Sequence, residues 1–305
     1  MKAIIVGMGV QGHKRKKVLG KEFKYSVDKF KKADYRFIDQ VPLKEYDAVI
    51  VCVPDNEKLK VIKYCLENKK HILIEKPFLI PNLKTAQYME KKIKEKKIIC
   101  YTAYNHRFEP HFKKMKELID SKVLGKIYSC RMFYGNGTAT LVKRSNWRDK
   151  NFGIIADLGS HLIDTCLFWF GKKVKDFKLV SLRRFENKSP DHAVLISENS
   201  IPKIELEMTY FMWKNYFSCD ILAEKGSAHI NSLCKWGPTV FTYRKRVYPS
   251  GKPKEKRQIL IKSDPTWCAE LKHFRKLISS KKITNFSKDI WIQNQLRKVN
   301  RNKIV

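Results

Sequence analysis

The chain has 305 residues, 43% of them hydrophobic, and a formal net charge of +34. That length accommodates two domains with separate cores, and that apolar content separates the chain from disordered proteins. No run of about 18 apolar residues exists, because the richest stretch, Leu162 to Phe170, is broken by Asp164, so no membrane span is expected.

Lys2 to Val6 is a short apolar β-run that leads directly into Gly7-Met8-Gly9-Val10-Gln11-Gly12. A strand, a glycine turn and a helix-compatible run in that order form a dinucleotide-binding first turn. Gly7 permits the tight turn, Gly9 lets backbone approach a pyrophosphate, and Gly12 lets the helix pack closely on the strand. The helix that opens near Gln11 offers unpaired N–H groups and a positive dipole end to the phosphates. The next β-run, Phe23 to Val27, closes on Asp28, an acidic residue placed to accept a hydrogen bond from a ribose hydroxyl.

Further β-runs follow at Tyr35–Ile38, Ala48–Val53, His71–Glu75 and Ile98–Thr102, with helices over Lys58–Asn68 and Leu83–Lys96. The apolar runs are short, β-branched and unalternating, as strands buried on both faces are. Residues 1–102 therefore read as an α/β domain, a doubly wound parallel sheet of the Rossmann type. Beyond Thr102 the pattern changes. A helix over Pro110–Ser121 and a β-run over Lys126–Gly135 lead through an irregular stretch to a helix near Ile154–Phe170. Seven β-runs without intervening helices then fill Phe177 to Ile261, and a helix over Thr266–Ser279 closes the pattern. Residues 103–305 read as an α+β domain on an open, mainly antiparallel sheet.

The basic excess is spread along the chain: residues 1–102 carry 24 Lys+Arg against 12 Asp+Glu, and residues 103–305 carry 40 against 18. Lysine outnumbers arginine 50 to 14, although arginine is the better fork for phosphate and base edges. With no basic arm and no RNP-like aromatic block, a lysine-rich solvated surface is favoured over a specific nucleic-acid site. The field would still draw in an anionic substrate. The eight cysteines are scattered singly, with no Cys/His cluster at zinc spacing, so neither disulfides nor a metal site is expected. The opening residues form a strand, not a signal peptide, and the expected compartment is the cytoplasm.

Two further segments carry chemistry. Glu75-Lys76-Pro77 follows a parallel strand at its carboxyl end, where ligands bind in such sheets. Its lysine is either one half of a surface ion pair or a donor to a substrate oxygen. Asp157-Leu158-Gly159-Ser160-His161-Leu162-Ile163-Asp164 places Asp157, His161 and Asp164 on one helix face. That arrangement is either a capped helix start with an ordinary histidine or a carboxylate tuning a general base.

Taken in order, these segments resemble the glucose–fructose oxidoreductase / inositol dehydrogenase (Gfo/Idh/MocA) family over nearly the whole length. Val53-Pro54-Asp55-Asn56 is similar to its Thr-Pro-Asn turn and Glu75-Lys76-Pro77 to its hallmark tripeptide. Tyr104-Asn105-His106-Arg107-Phe108 resembles its Asn/Arg segment, Trp147-Arg148 its Trp-Arg pair, and Glu270 to Phe274 its closing helix. The resemblance implies NAD(P)-dependent hydride transfer on a secondary alcohol or ketone of a sugar, cyclitol, sugar phosphate or nucleotide sugar. It also implies a homodimer or homotetramer built through the C-terminal sheet. By matching position, Gly7, Gly9, Val10, Gln11, Gly12, Asp28, Val53, Pro54, Asn56, Glu75 and Lys76 would bind the cofactor. Lys76 would hydrogen-bond the reacting oxygen, His161 would move the hydroxyl proton, and Asp157 would orient His161. Asn105, Arg107 and Arg148 would contact substrate.

The chain departs from the family pattern at Gly153, which stands where a glycine cluster is usual, and in the short segment after Asp28. Asp28 favours NAD by repelling a 2′-phosphate, whereas Lys29, Lys31 and Lys32 could pair with that phosphate and favour NADP. Three other functions fit parts of the pattern: double-bond or ring reduction as in biliverdin reductase-like members, non-catalytic nucleotide binding on the same fold, and charge-driven nucleic-acid binding.

Overall fold

A computed structural model describes residues 1–145, 148–282 and 284–301, with the side chains of Asn300 and Arg301 left aside. Two compact units emerge: Met1–Asn105 with Trp267–Gln293, and His106–Thr266 with the chain from Asn294 onward.

The first unit is built on five parallel strands, β1 (Ala3–Val6), β2 (Phe23–Val27), β3 (Ala48–Val51), β4 (His71–Glu75) and β5 (Cys100–Ala103), in the order β2-β1-β3-β4-β5. β1 and β3 are buried at every position, which is why their sequences are continuously apolar. Helices α1 (Val10–Leu19), α2 (Asp55–Glu67) and α3 (Leu83–Lys96) join them. No α-helix crosses between β2 and β3. The run Tyr35–Ile38, expected as a strand, makes a single bridge to Val27 and passes into a 3₁₀ turn, Ile38–Gln40. It lies beside the edge strand, where Asp34 accepts hydrogen bonds of 2.7 Å from both the Ser26 amide and its hydroxyl.

The second unit contains α4 (Pro110–Asp120), β6 (Ile127–Gly135), the short helix α5 (Ala139–Lys143) within the stretch expected to be irregular, and α6 (Ser160–Phe170). Seven more strands follow: β7 (Lys178–Arg183), β8 (His192–Ser197), β9 (Lys203–Thr209), β10 (Tyr216–Ala223), β11 (Gly226–Asn231), β12 (Thr239–Lys245) and β13 (Lys254–Leu260). They form one eight-stranded sheet, β13-β12-β11-β10-β6-β9-β8-β7, antiparallel except where β6 runs parallel to β9. Alternate residues such as Cys130, Met132, Leu206, Met208, Phe217 and Cys219 are buried on one face. Helices α4 and α6 meet above that sheet. The Phe112 ring lies 5.3 Å from Trp169 and 5.0 Å from Phe217, and the indole N–H of Trp169 donates to the Phe112 carbonyl at 3.0 Å.

The chain closes with α7 (Thr266–Ser279) and α8 (Ser287–Arg301), the latter absent from the sequence expectation. The assignment of everything past residue 102 to a second domain is corrected by their packing. A doubly wound sheet must cover both faces. Helices α2 and α3 fill one with Ile62, Cys65, Leu66, Met89 and Ile93, while α1 contributes just Leu19 and the half-buried Val18 to the other. Leu271, Phe274 and Leu277 of α7 complete that second face against Ala3, Ile5, Ile50 and Leu73.

Candidate active site

The glycine turn of the first unit is built as its sequence requires. Gly7 has φ +100°, and a Cβ on it would lie 2.7 Å from the Cys52 carbonyl carbon and oxygen, so the turn presses against the end of β3. A Cβ on Gly12 would lie 2.1 Å from the Gly7 oxygen. On Gly9 it would meet nothing within 4 Å, which leaves the backbone open to a ligand on that side. Helix α1 starts at Val10 with no side-chain cap and no acidic residue in its first turn, so the amides of Val10, Gln11 and Gly12 and the positive dipole end suit an anion. These features fit a dinucleotide pyrophosphate.

Asp28, at the end of β2, is tied to that turn. Its Oδ2 accepts from the Met8 amide at 2.7 Å, and its Oδ1 accepts from the amides of Phe30 and Lys31 at 2.9 Å each. Partial desolvation raises its pKa, but these backbone donors outweigh it and hold the carboxyl below its ordinary value. Val53 and Pro54 lie at the β3–α2 junction, and Asn56 in the first turn of α2.

The turn after β4 carries Glu75, Lys76 and Pro77, and two buried cations that the motifs did not point to hold it. Lys58 donates 2.7 Å hydrogen bonds to the carbonyls of Glu75 and Pro77 and pairs with Asp55 at 2.6 Å. Arg15 donates to Glu75 Oε1 at 2.6 Å and to Glu270 Oε2 at 2.8 Å, with its guanidinium 4.3 Å from the centre of the Trp267 ring. Burial raises the Glu270 pKa, Arg15 opposes that and Glu75 adds to it, leaving Glu270 at about 7. Helical spacing was the missed signal. Arg15 shares a face with Gly12 and Leu19, and Lys58 one with Val61, Ile62 and Cys65, so both lie on buried stripes despite their lysine-rich surroundings.

In the second unit the helix bearing Asp157 and His161 is entered through a π-helical turn, Ile155–Gly159. A Cβ on Gly159 would lie 2.9 Å from the Met208 sulfur, so this turn sits hard against β9. The wider π turn breaks the regular spacing of the three polar residues, and each has its own partners. Asp157 Oδ2 accepts from Arg148 Nη2 at 2.9 Å and from the Tyr210 hydroxyl at 3.1 Å. Asp164 is gripped by Arg107 through hydrogen bonds of 2.7 and 2.8 Å. The His161 ring stacks on that of His106 with centroids 3.9 Å apart and planes 14° apart, and both imidazoles are buried. Tyr134 completes this wall, 5.4 Å from His106 and 6.4 Å from His161.

The second unit thus brings together Arg107, Arg148, Asp157 and His161, and adds His106, which the Asn/Arg segment contains but did not single out, and Tyr134 and Tyr210, for which the sequence offered no motif. Asn105 opens the 3₁₀ turn Asn105–Phe108 as the last residue of the first unit's N-terminal segment. Trp147 lies outside the described residues. Among the described residues no group of three or more His, Cys, Asp and Glu side chains could hold a metal ion, and no helix is long and apolar enough to cross a membrane.

Comparisons with known proteins fall on the same segments. Residues 2–104 match the family model described as an oxidoreductase family with an NAD-binding Rossmann fold, and residues 112–229 match the GFO/IDH/MocA C-terminal domain. Myo-inositol 2-dehydrogenase of Thermotoga maritima is 28% identical over 153 residues, 50% of this chain and 44% of that protein. Glucose-6-phosphate 3-dehydrogenase of Bacillus subtilis is 27% identical over 217 residues, 68% of this chain and 58% of that protein. The chain therefore spans about half the length of these curated relatives. Levoglucosan dehydrogenase in complex with NADH and L-sorbose superposes with a TM-score of 0.83 at 16% identity, over 99% of this chain and 96% of that one, a likeness of fold. With its glycine turn lying in one matched segment and its Asp157–His161 helix in the other, the chain belongs to the GFO/IDH/MocA oxidoreductase family.

Proposed function

We propose that the protein is an NAD(P)-dependent dehydrogenase or reductase that interconverts a secondary alcohol and a ketone on a sugar, cyclitol or related polyol. The observation that carries this reading is the retained proton-handling set: Lys76 on the clamped turn after β4, and His161 with Asp157 at the π-helical entry to α6. The nicotinamide, when bound, supplies the hydride acceptor or donor. In the oxidising direction His161 takes the hydroxyl proton as the carbinol C–H bond gives up its hydride and the C=O bond forms. In reduction the same imidazole returns the proton. Lys76 donates a hydrogen bond to the reacting oxygen and stabilises negative charge on it. Arg148 and Tyr210 fix the Asp157 carboxylate, and Asn105, Arg107 and Arg148 are assigned to substrate.

The cofactor is NAD or NADP, bound by Gly7, Gly9, Val10, Gln11, Gly12, Asp28, Val53, Pro54, Asn56, Glu75 and Lys76. Three protein donors already occupy Asp28. A carboxylate offers about four acceptor directions, so one is left for a ribose hydroxyl, which supports NAD. Self-association is proposed through the outer face of the eight-stranded sheet, where Phe133, Val194, Ile196 and Leu222 are half-buried or exposed. Sedimentation showing only a monomer at micromolar concentration removes that part.

His161→Ala and Lys76→Ala should each leave NAD(H) binding nearly unchanged and lower turnover by roughly a hundredfold or more. Equal kcat in the wild type and His161→Ala, on any substrate the enzyme accepts, would overturn the assignment of the base.

A further inference from the structure

The cations around His161 differ in how their charge is balanced. Arg107 is matched by Asp164 and Arg148 by Asp157. Lys235, on the 3₁₀ turn Cys234–Trp236 between β11 and β12, has partners of another kind. Its Nζ donates to the Tyr134 hydroxyl at 3.2 Å and stands 4.4 Å from the centre of the Trp236 ring and 5.7 Å from that of Tyr134. All of these groups are neutral. Among the described residues no carboxylate forms a salt bridge with this ammonium. Desolvation leads the balance and lowers its pKa, while Asp264, Glu109 and Asp157 act only through space to favour the charged form. The residue itself is exposed, although protein atoms crowd its ammonium, so the side chain stands at the surface of this wall.

A partly desolvated cation facing aromatic rings keeps its full charge, since a ring quadrupole attracts it without neutralising it. The arrangement is costly until an anion arrives and favourable once it does. Tyr134 fixes where that anion sits. Its ring lies 6.4 Å from the His161 ring and 5.6 Å from that of Trp236, and its hydroxyl meets Lys235. One side chain thus reaches from the imidazole to the ammonium.

We propose that the substrate carries a phosphate or carboxylate group, and that Lys235 binds this group across Tyr134 from His161. This rests on His161 being the proton-transfer group of an alcohol–ketone site. The anion then belongs to a part of the substrate away from the reacting carbinol, which selects sugar phosphates or sugar acids over neutral polyols. The overall basic charge brings any anion towards the protein but gives no choice between them; a placed ammonium does.

The test uses the full chain with NAD(H) and matched compounds: glucose 6-phosphate, glucuronate and glucose, and inositol phosphate with inositol. The wild type should show a kcat/KM at least about tenfold higher on a charged member than on its neutral partner, the scale of one charge-assisted hydrogen bond. Lys235→Gln should abolish that preference through KM, Lys235→Arg should keep most of it, and Lys252→Gln, on the exposed β12–β13 connection, should leave it intact. Whether the 6-phosphate or the glucuronate responds distinguishes phosphate from carboxylate.

Equal use of charged and neutral members by the wild type, or a preference that survives in Lys235→Gln, overturns the proposal. If no compound is turned over, calorimetry with inorganic phosphate decides. Saturable binding lost in Lys235→Gln supports the site, whereas no binding, or binding that the variant retains, removes it. Lys235-dependent anion binding without hydride transfer would keep the anion site and retire the redox reading on which its substrate role rests. Turnover of neutral polyols alone would do the reverse.

Discussion

Both units set arginine against carboxylate, and they balance the charge differently. In the first, one guanidinium serves two acids: Arg15 bridges Glu75 and Glu270, with Arg15 at 3% and Glu270 at 0% exposure. In the second, arginine and carboxylate are matched one to one, and the pairs are more open, with side-chain exposures of 26% for Arg107, 30% for Arg148 and 31% for Asp157. The sealed cluster ties α1, the turn after β4 and α7 into one block, with Arg15 and Glu270 closed off from solvent. The open pairs hold their acids in place while leaving one side to solvent. Ion pairs of similar length therefore form a sealed scaffold in one unit and, in the proposed function, a substrate surface in the other.

Breaking the sealed cluster should have the largest effect. Arg15→Leu leaves two buried carboxylates facing each other without a counter-charge and should cost about 3–5 kcal/mol in urea unfolding, with NAD(H) affinity falling alongside. A loss below about 1 kcal/mol would show that the cluster is dispensable. Arg107→Leu tests the open type. Asp164 is itself buried, but water reaches the arginine side of the pair, so the cost should be smaller, about 2 kcal/mol. Equal losses in the two variants would erase the distinction between scaffold and surface.

The excess acid in the first cluster also gives it a pH signature that the matched pairs lack. Burial, aided by Glu75 and opposed by Arg15, raises Glu270 from its ordinary 4.5 to about 7. Between those values the folded chain holds a proton that the unfolded chain has released. Its contribution to stability is therefore complete below 4.5, declines as pH rises towards 7, and is flat above that. Glu270→Gln keeps an acceptor for Arg15 and removes the titration. The fall in unfolding free energy between about pH 5 and pH 8 should be smaller in the variant by about 2–3 kcal/mol. Identical slopes in variant and wild type would place the titrating acid elsewhere.

The Rossmann half was legible because its signals are local. Ala3–Val6 is apolar at every position, the glycines follow at once, and Leu83–Lys96 carries a helical stripe with Asn82 as its cap. What stayed hidden depends on the chain returning from far away. Nothing in Thr266–Ser279 says that Leu271 and Phe274 cover the sheet that begins at Ala3, since an amphipathic helix does not name its partner. In the candidate site, Lys76, Asp157 and His161 were found by motif, and Gly7, Gly9 and Gly12 by spacing. Tyr134, Tyr210 and Lys235 were not, because they sit on three separate elements and share no periodicity, and His106 lay within the Asn/Arg segment without any sign that its ring would stack on His161. The π turn at Ile155–Gly159 was invisible as well: its residues suit an α-helix, and packing on Met208 decides the matter.

The smallest expected effect sharpens the comparison most closely, because it asks what holds Asp157 in the open pair. Tyr210 is buried, and its hydroxyl donates to Asp157 at 3.1 Å on the same oxygen that accepts from Arg148 at 2.9 Å. Burial, with the adjacent carboxylate, pushes the phenol well above its ordinary pKa, so it remains a protonated donor across the working range. Tyr210→Phe removes that donor without opening a cavity and should cost about 1 kcal/mol of stability. If the arginine alone orients the carboxylate, kcat stays at the wild-type value. If the second donor is needed, kcat falls several-fold with KM unchanged, since an acid that swings away from its place weakens the transition state more than the bound ground state. The second outcome is the expected one: a pair with about a third of each side chain open to water is held in register by its buried neighbour, not by its own attraction.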